Sequence, residues 1–394
     1  MPDSPLHANG SKGNVDSRNR NRGFRYTNGL TRIAVRTPSR SYEVLVARSL
    51  LRTGAEALGN ILPEHVKVFV VSSRPILDLW GGSLFNTLTQ FSRSPQTLTI
   101  PDGESAKRLN TIEKLASNMV ASGADRRSVV VALGGGVVGD VSGFLASVFM
   151  RGIPVVQIPT TLVAQIDSAI GGKTAVNLSA GKNLVGAFHQ PLAVLVDPEV
   201  LSTLPEREYR SGLFEAMKYG VIRNPAIFEL MESQRDAILR RDAEVLEKLV
   251  VECIRIKSDV VSADERESGE RRILNFGHTI GHALEAATRY KHLLHGEAVG
   301  WGMIAAVAVG REMSITSEEL AARITALVRA YGPLPPVTTK GKRVLQLLQA
   351  DKKTVAGVPH FILAKELGRV EVVNTVGEKA VLKAVAEITR PLQA

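Results

Sequence analysis

The sequence predicts an α/β domain followed by a helical domain, with the change near residue 205. Three observations predict it. Between about Ile33 and Pro205, short β-branched apolar runs alternate with helical stretches, the pattern of buried strands joined by crossover helices in a parallel sheet. After Pro205, apolar residues recur at three- and four-residue steps, the period of amphipathic helices. The chain has 394 residues, 44% of them hydrophobic, enough for more than one domain and a sizeable core.

The elements follow in order. Residues 1–30 are polar and rich in Asn, Ser, Gly and Arg, with no apolar signal core, and are expected to form a disordered tail. Arg18, Arg20, Arg22 and Arg25 lie there, but no aromatic or fold motif accompanies them, so a solvated tail is favoured over a nucleic-acid arm. Residues 31–205 then hold four expected strands. Val66 to Val71 breaks at Ser72–Ser73, and Ser128 to Leu133 ends in glycines. Pro154 to Ile158 ends at Pro159–Thr160–Thr161, and Ala193 to Val196 at Asp197–Pro198. Residues 206–394 form the helical part. Helices are expected over Arg210–Val221, Pro225–Arg240, Ala243–Ala263, Ile273–Thr288, Glu297–Met313 and Ser317–Tyr331. A short hairpin is expected within Val358–Val373, turning at Leu367–Gly368. There is no internal repeat.

Composition excludes several classes. No run of about 18 apolar residues lacks charge or glycine, so no membrane span is expected. One cysteine, Cys253, rules out an intramolecular disulfide framework and a cysteine-only metal site; a reducing cytoplasm fits. The net charge of +10 suits an anionic small molecule.

Three clusters carry chemistry. Gly134–Gly135–Gly136–Val137–Val138–Gly139–Asp140 follows a strand and opens a helix, where glycines and helix amides suit a pyrophosphate. The acidic residue usual about 20 positions later is absent, so this is a dinucleotide loop of another kind or a tight turn. Asp167 to Thr174 and Gly181–Lys182–Asn183 place Lys173 and Lys182 in glycine-rich loops suited to anions. Gly172–Lys173–Thr174 resembles the end of a P-loop, but no glycine stands where that motif begins, which excludes the triphosphatase reading. The third cluster is Glu215 and Lys218 three apart, His278 and His282 four apart, and His295 before Gly296–Glu297. Glu with two His is a recurrent catalytic zinc set with open positions; a His pair at i and i+4 can also share an ion. Four of the eight histidines fall between positions 278 and 295, these three among them, which favours a site over a structural pair.

In this order, with Met150–Arg151–Gly152, Asn275 and Arg271 among them, these motifs resemble the 3-dehydroquinate synthases of the sugar phosphate cyclase group, from about residue 30 to the C-terminus. The resemblance implies a Rossmann-like α/β N-terminal domain and an all-α C-terminal domain. It implies an NAD site at Gly136, Val137, Val138, Gly139 and Asp140, with Asp102, Gly103, Glu104 and Lys107 on the adenosine side. Thr160, Thr161, Thr203, Lys173 and Lys182 would line the same cofactor. One divalent ion, zinc or cobalt, would be held by Glu215, His278 and His295, with His282 turned to substrate. Asp167, Lys173, Lys218, Lys257, Arg271, Asn275 and His282 would act on a sugar acid phosphate. Lys182, Asn183, Lys352 and Lys353 would bind it, and Arg151 would reach its phosphate across a homodimer interface. The family often carries an acidic or amide residue after the first strand for the adenosine ribose; this chain has Ser72–Ser73–Arg74–Pro75.

The implied reaction converts 3-deoxy-D-arabino-heptulosonate 7-phosphate to 3-dehydroquinate and phosphate. Transient oxidation by NAD is followed by elimination, re-reduction, ring opening and aldol closure, without nucleic acid or membrane. The alternatives are another sugar phosphate cyclase, or a metal-dependent polyol or glycerol phosphate dehydrogenase, which would accumulate NADH.

Overall fold

The structure, a computed structural model, describes residues 29–63, 65–90, 95–350 and 360–389. The tail expected over 1–30 lies, up to residue 28, outside them, as do Lys352 and Lys353. The strands in chain order are β1 (Thr31–Arg36), β2 (Ser41–Val46), β3 (Val68–Ser73), β4 (Gln96–Ile100), β5 (Val129–Gly134) and β6 (Val155–Pro159). They continue with β7 (Lys173–Leu178), β8 (Gly181–Phe188), β9 (Ala193–Val196), β10 (Phe361–Glu366) and β11 (Arg369–Val373).

Seven strands form one sheet in the order β1-β2-β9-β6-β5-β3-β4. It is parallel except for the β1–β2 pair. β3 and β5 are buried at every position, because both faces of the sheet are covered, and so they are continuous apolar runs. Side chains alternate between faces. Val68, Val70, Val129 and Val131 pack with Leu84 and Leu88; Phe69, Val71, Val130 and Ala132 pack with Leu115, Met119 and Leu145 of the opposite layer. Each fully buried valine contributes about 1.5–3 kcal/mol, and an Asp at Val131 would break the layer.

The chain passes from β3 outward to β4, whereas β5 leads the other way to β6 and β9. Such a reversal opens a crevice at the carboxyl ends of β3 and β5, where α/β sheets bind ligands. The glycine turn after β5 lies there, and the Gly136–Val148 helix begins in it.

Five strands, β1, β2, β4, β7 and β8, lay outside the sequence expectation. β1 alternates buried and exposed residues, and its Ile33 and Val35 join the helical core. β4 is half exposed. β7 and β8 form a separate antiparallel hairpin, so Lys173 and Lys182 stand on strands, not in loops. Their polar, glycine-interrupted sequences hide the strand period because one face of β8 meets solvent.

From Glu206 onward the described residues are helical except for the β10–β11 hairpin, so the domain expected as all-α carries one two-stranded sheet. The segment expected as one helix over 225–240 splits at Gln234 into Pro225–Ser233 and Arg235–Leu239. That expected over 273–288 is a 3-10 turn, Glu270–Asn275, followed by His278–Ala287. Gly277 breaks it with φ +78°, and its missing Cβ leaves room for Val299 O and the Met303 side chain. The hairpin expected near the C-terminus forms as β10–β11, turning through Gly368 at φ +83°.

The His295–Glu312 helix is buried along almost its whole length, so it is apolar on every side. It packs on Glu206–Ile222, His278–Ala287, Glu318–Ala330 and Glu378–Thr389. Glycines set how closely. A Cβ on Gly296 would stand 1.8 Å from Ser211 O, and one on Gly302 1.8 Å from Gly277 O. These backbone contacts bring three helices together at one end.

Candidate active site

At that end, ligand atoms of Glu215, His278 and His295 all lie within 4.8 Å of one another. Glu215 sits inside the Glu206–Ile222 helix and is wholly buried. His278 and His295 each open their own helix. Their Nε2 atoms stand 3.4 Å and 3.1 Å from Glu215 Oε1. The opposite nitrogens are engaged: His278 Nδ1 lies 3.0 Å from Phe276 O, and His295 Nδ1 3.3 Å from Glu285 Oε2. Anchoring Nδ1–H in this way turns the Nε2 lone pair inward, the tautomer a metal ligand needs. Neither Glu215 oxygen has an aligned hydrogen bond. A buried carboxylate with close but unaligned neighbours fits a cation ligand.

The electrostatics agree. Burial pushes His278 below its ordinary range despite Glu215. Burial acts on His295 too, but the Glu215 and Glu285 carboxylates outweigh it and hold the imidazole up at about 10. Without an ion, a proton on His295 supplies positive charge beside Glu215. His282 does not join this set. It groups with Glu285 and His295 instead, and Lys182 Nζ, 3.8 Å from Glu285, opposes a second cation there. The His278–His282 ion allowed by spacing alone is thus displaced by ligands from three helices.

Cations surround the carboxylates. Lys218 Nζ lies 2.6 Å from Glu215 Oε2. Lys257 pairs with Asp167, whose Oδ1 is also 3.1 Å from the Tyr219 hydroxyl. Burial opposes ionisation of Asp167, but Lys257 and Lys218 hold it well below the carboxylate range. Burial pushes Lys257 down to about 8.

Lys173 pairs with Glu267, and Asn275 Nδ2 donates to Glu267 Oε1 at 2.8 Å. Sequence reasoning missed Glu267, which sits in a polar loop segment resembling any solvated turn. Its φ of +61° marks it out. Asp264 secures this loop by accepting from the amides of Ser268, Gly269 and Arg271 at 3.0, 2.7 and 3.1 Å. Arg271 is 1% exposed. Its guanidinium reaches Glu265 O at 2.5 Å and Gly171 O at 3.4 Å, while Nε has no partner. Only a glycine at 171 admits it, since a Cβ would meet Nη2 at 2.5 Å. Glu285 was also missed, although it continues the His278–His282 face at the next helical step.

The crevice at β3 and β5 holds the remaining residues. Gly134, Gly135 and Gly136 lead into the helix N-terminus, with Thr160 opposite; Thr160 Oγ1 is buried without a partner. Thr161 Oγ1 accepts from Ala164 N at 3.2 Å, and its methyl would meet a Cβ on Gly135 at 2.9 Å. The side chain of Val138 faces the core, so the Val137–Gly139 segment offers backbone to this crevice. Lys107 pairs with Asp140 and with Asn183. Asn177 donates to Glu104 at 2.7 Å and accepts from Asn183 N at 2.8 Å. These bonds tie the Asp102–Gly103–Glu104 turn to the β7–β8 hairpin. Thr203 Oγ1 accepts from Trp80 Nε1 at 3.1 Å. Glycines at a helix start, with orphaned hydroxyls beside them, fit a dinucleotide.

Arg151 is not brought to this place. It follows the far end of the 13-residue Gly136–Val148 helix, about 20 Å from the glycine turn. Among the described residues no helix is long and apolar enough to cross a membrane.

Comparison with known proteins follows the same lines. Residues 97–211 match the 3-dehydroquinate synthase N-terminal family and residues 212–354 the C-terminal family. The chain is 53% identical over 359 residues to the 3-dehydroquinate synthase of Koribacter versatilis, covering 91% of this chain and 98% of that one. Among solved structures it resembles a 2-deoxy-scyllo-inosose synthase complexed with carbaglucose-6-phosphate, NAD+ and Co2+. The TM-score is 0.82 and the identity 28%, over 91% of this chain and 99% of the other. It also resembles the 2-epi-5-epi-valiolone synthase of Streptomyces hygroscopicus with NAD+ and Zn2+ bound. There the TM-score is 0.80 and the identity 29%, over 89% and 97% of the two chains.

Proposed function

The chain belongs to the 3-dehydroquinate synthase family, and from that premise we propose how its residues divide the work of eliminating phosphate and closing the carbocycle. Residues 31–205 hold NAD and residues 206–394 hold the ion and most of the substrate contacts. The observation that carries the reading is the convergence of Glu215, His278 and His295, with both imidazoles anchored through Nδ1.

Glu215, His278 and His295 hold one divalent ion, zinc or cobalt, and Gly136 to Asp140 with Thr160 hold the dinucleotide. When bound, the ion supplies Lewis-acid polarisation of a substrate hydroxyl and the dinucleotide reversible hydride acceptance. The protein's own residues position and neutralise. Lys257, cationic below about pH 8, and Lys218 meet substrate oxygens. Asp167 orients both lysines and stays ionised throughout. Arg271 presents its unpartnered Nε, and Lys173, Asn275 and His282 complete the anion contacts. Fixed charges act strongly in so buried a site and need little reorganisation as charge moves to the leaving phosphate.

We place the enzyme in the cytoplasm, as a homodimer. The support for a dimer lies at the Arg151 end, where Val148, Met150 and Phe188 are 47%, 38% and 46% exposed. An apolar patch beside an arginine remote from its own site suits a second copy.

Incubation with 3-deoxy-D-arabino-heptulosonate 7-phosphate, NAD and zinc tests the reading. Equimolar phosphate and 3-dehydroquinate without net NADH is the expected result. Accumulating NADH would instead support a polyol dehydrogenase.

A further inference from the structure

A dinucleotide held at the Gly136 helix start reaches two ways, its nicotinamide toward the buried cations and its adenosine away from them. The Asp102–Gly103–Glu104 turn, which follows β4, stands at the adenosine end, and a carboxylate there suits ribose hydroxyls. Chain from the far side of the sheet closes the same end. β3, β5, β6 and β9 run parallel, so their carboxyl ends share one edge. β5 and β6 separate β3 from β9, a distance of about 14 Å across the sheet. Trp80, beyond the end of β3, nevertheless donates from Nε1 to Thr203 Oγ1, beyond the end of β9, at 3.1 Å. The segments leaving the two strands therefore meet across the ends of β5 and β6. Burial raises the Glu208 carboxyl, and the charges of Glu297 and Asp102 add to the rise, so the chain after Thr203 also runs beside the Asp102 turn.

That end also needs a surface for the base, and the indole supplies it. Trp80 packs on the cluster that holds Leu133, Ile158 and Val200. Leu133 leads into the glycine turn and Ile158 toward Thr160. Trp80 is half-buried, with part of its surface left open. The bond from Nε1 satisfies the ring's one donor, and Thr203 is itself fixed by donating to Val200 O at 3.1 Å. The ring is thus set before any ligand arrives, and its remaining surface is apolar. A flat aromatic ring binds a purine by stacking, and one already held in place loses little freedom when it does so.

We propose that Trp80 is the residue on which the adenine of the dinucleotide stacks, held in position by Thr203. The proposal rests on the dinucleotide assignment above. Trp80 serves binding and not chemistry, so its loss raises the NAD concentration needed for half-maximal turnover and leaves kcat at saturation within twofold or so.

ADP-ribose, which keeps the adenosine and both phosphates but lacks the nicotinamide, isolates this end. The chain has two tryptophans. Trp301 is 5% exposed in the helical core, with Nε1 donating to Pro335 O at 2.8 Å, so quenching of tryptophan emission by ADP-ribose reports on Trp80. The full chain is expected to show that quenching, and Trp80→Phe to lose it. By calorimetry, Trp80→Ala should weaken ADP-ribose and NAD alike by about tenfold or more. Trp80→Phe, which keeps a stacking ring and gives up the bond to Thr203, should hold both within about threefold of wild type. Absent quenching, a smaller loss in Trp80→Ala, or a Trp80→Phe protein as weak as Trp80→Ala would overturn the proposal while leaving the NAD site standing. Failure of the unaltered chain to bind either ligand would remove the dinucleotide assignment itself, and this proposal with it.

Discussion

Gly296→Ala separates the effect of helix proximity from that of ligand identity. The added Cβ would lie 1.8 Å from Ser211 O and 2.5 Å from Ser211 C, where ordinary contact begins near 3.4 Å. The His295–Glu312 and Glu206–Ile222 helices must therefore part locally by about 1.6 Å. Ser211 is one turn before Glu215 on the same helix face, and Gly296 is next to His295. The displacement thus falls on the 3.1 Å approach of His295 Nε2 to Glu215. The Gly296 N to Ser211 Oγ bond of 3.0 Å goes with it. Overpacking of this kind costs about 1–3 kcal/mol, which a domain this size survives folded. Metal–ligand distances, by contrast, tolerate only about 0.2 Å.

Zinc affinity, read by competition with a chromogenic chelator, should fall by about 100-fold or more. Gly281→Ala, 2.8 Å from Ala298 O, should give a smaller loss, and Gly377→Ala, with nothing within 4 Å, none. Circular dichroism checks that each variant is folded. A folded Gly296→Ala protein that binds zinc within threefold of wild type would refute the reasoning, since the site would then assemble without close helix contact.

Three other perturbations have definite signs. Lys257 is a base whose pKa burial lowers from 10.5 to about 8, so it loses its charge as pH rises through 8. Turnover should fall there, and Lys257→Arg, which stays charged, should move the fall in a pH–rate profile upward. Between about pH 8 and 10.5 the unfolded chain binds the extra proton, so this residue's contribution to unfolding free energy rises with pH across that window. Glu285→Gln removes the carboxylate beside His295 Nδ1 and should weaken zinc about 10–100-fold by the same competition assay. Asp264→Ala frees three backbone amides that hold Glu267 and Arg271 in place. A loss of about 1–3 kcal/mol in denaturant unfolding is expected, with kcat/KM reduced more than zinc affinity.

What was legible in the sequence follows the physics of each element. β5, β6 and β9 are buried on both faces and appear as unbroken apolar runs. The β7–β8 hairpin was misread because β8 is part-exposed along its length, so its polar and glycine residues hide the strand period. The helix break at Gly277 was hidden because the need for φ +78° arises from Val299 and Met303, some twenty residues on. The ion ligands were legible as residue types, but spacing alone pointed to His278 with His282. Only tertiary packing through Gly296 and Gly302 puts His295 beside Glu215. Glu267 and Asp264 had no sequence signal, because the fold alone brings Glu267 to Lys173 and Asn275, and Asp264 acts by holding backbone amides.

The buried charge also constrains what the pocket can hold. Asp167, Glu215 and Glu267 face Lys173, Lys218, Lys257 and Arg271, and Lys182 and Glu285 cancel each other. With neutral imidazoles the cluster keeps one surplus positive charge, and a divalent ion raises that to three. Lys173 is 45% exposed, but Glu215, Lys218, Lys257 and Arg271 are buried, and uncompensated charge beside them is disfavoured. A carboxylate together with a phosphate, itself about −1.5 to −2 near neutral pH, brings nearly the balancing amount. A neutral polyol brings none, and a sugar phosphate without a carboxylate leaves about one charge unmet. The charge count therefore favours a sugar acid phosphate over both alternatives, on grounds independent of sequence likeness. It also implies that substrate binds more weakly to the metal-free protein, where His295 carries the compensating proton, a difference that equilibrium dialysis of the unreacted substrate without NAD would measure.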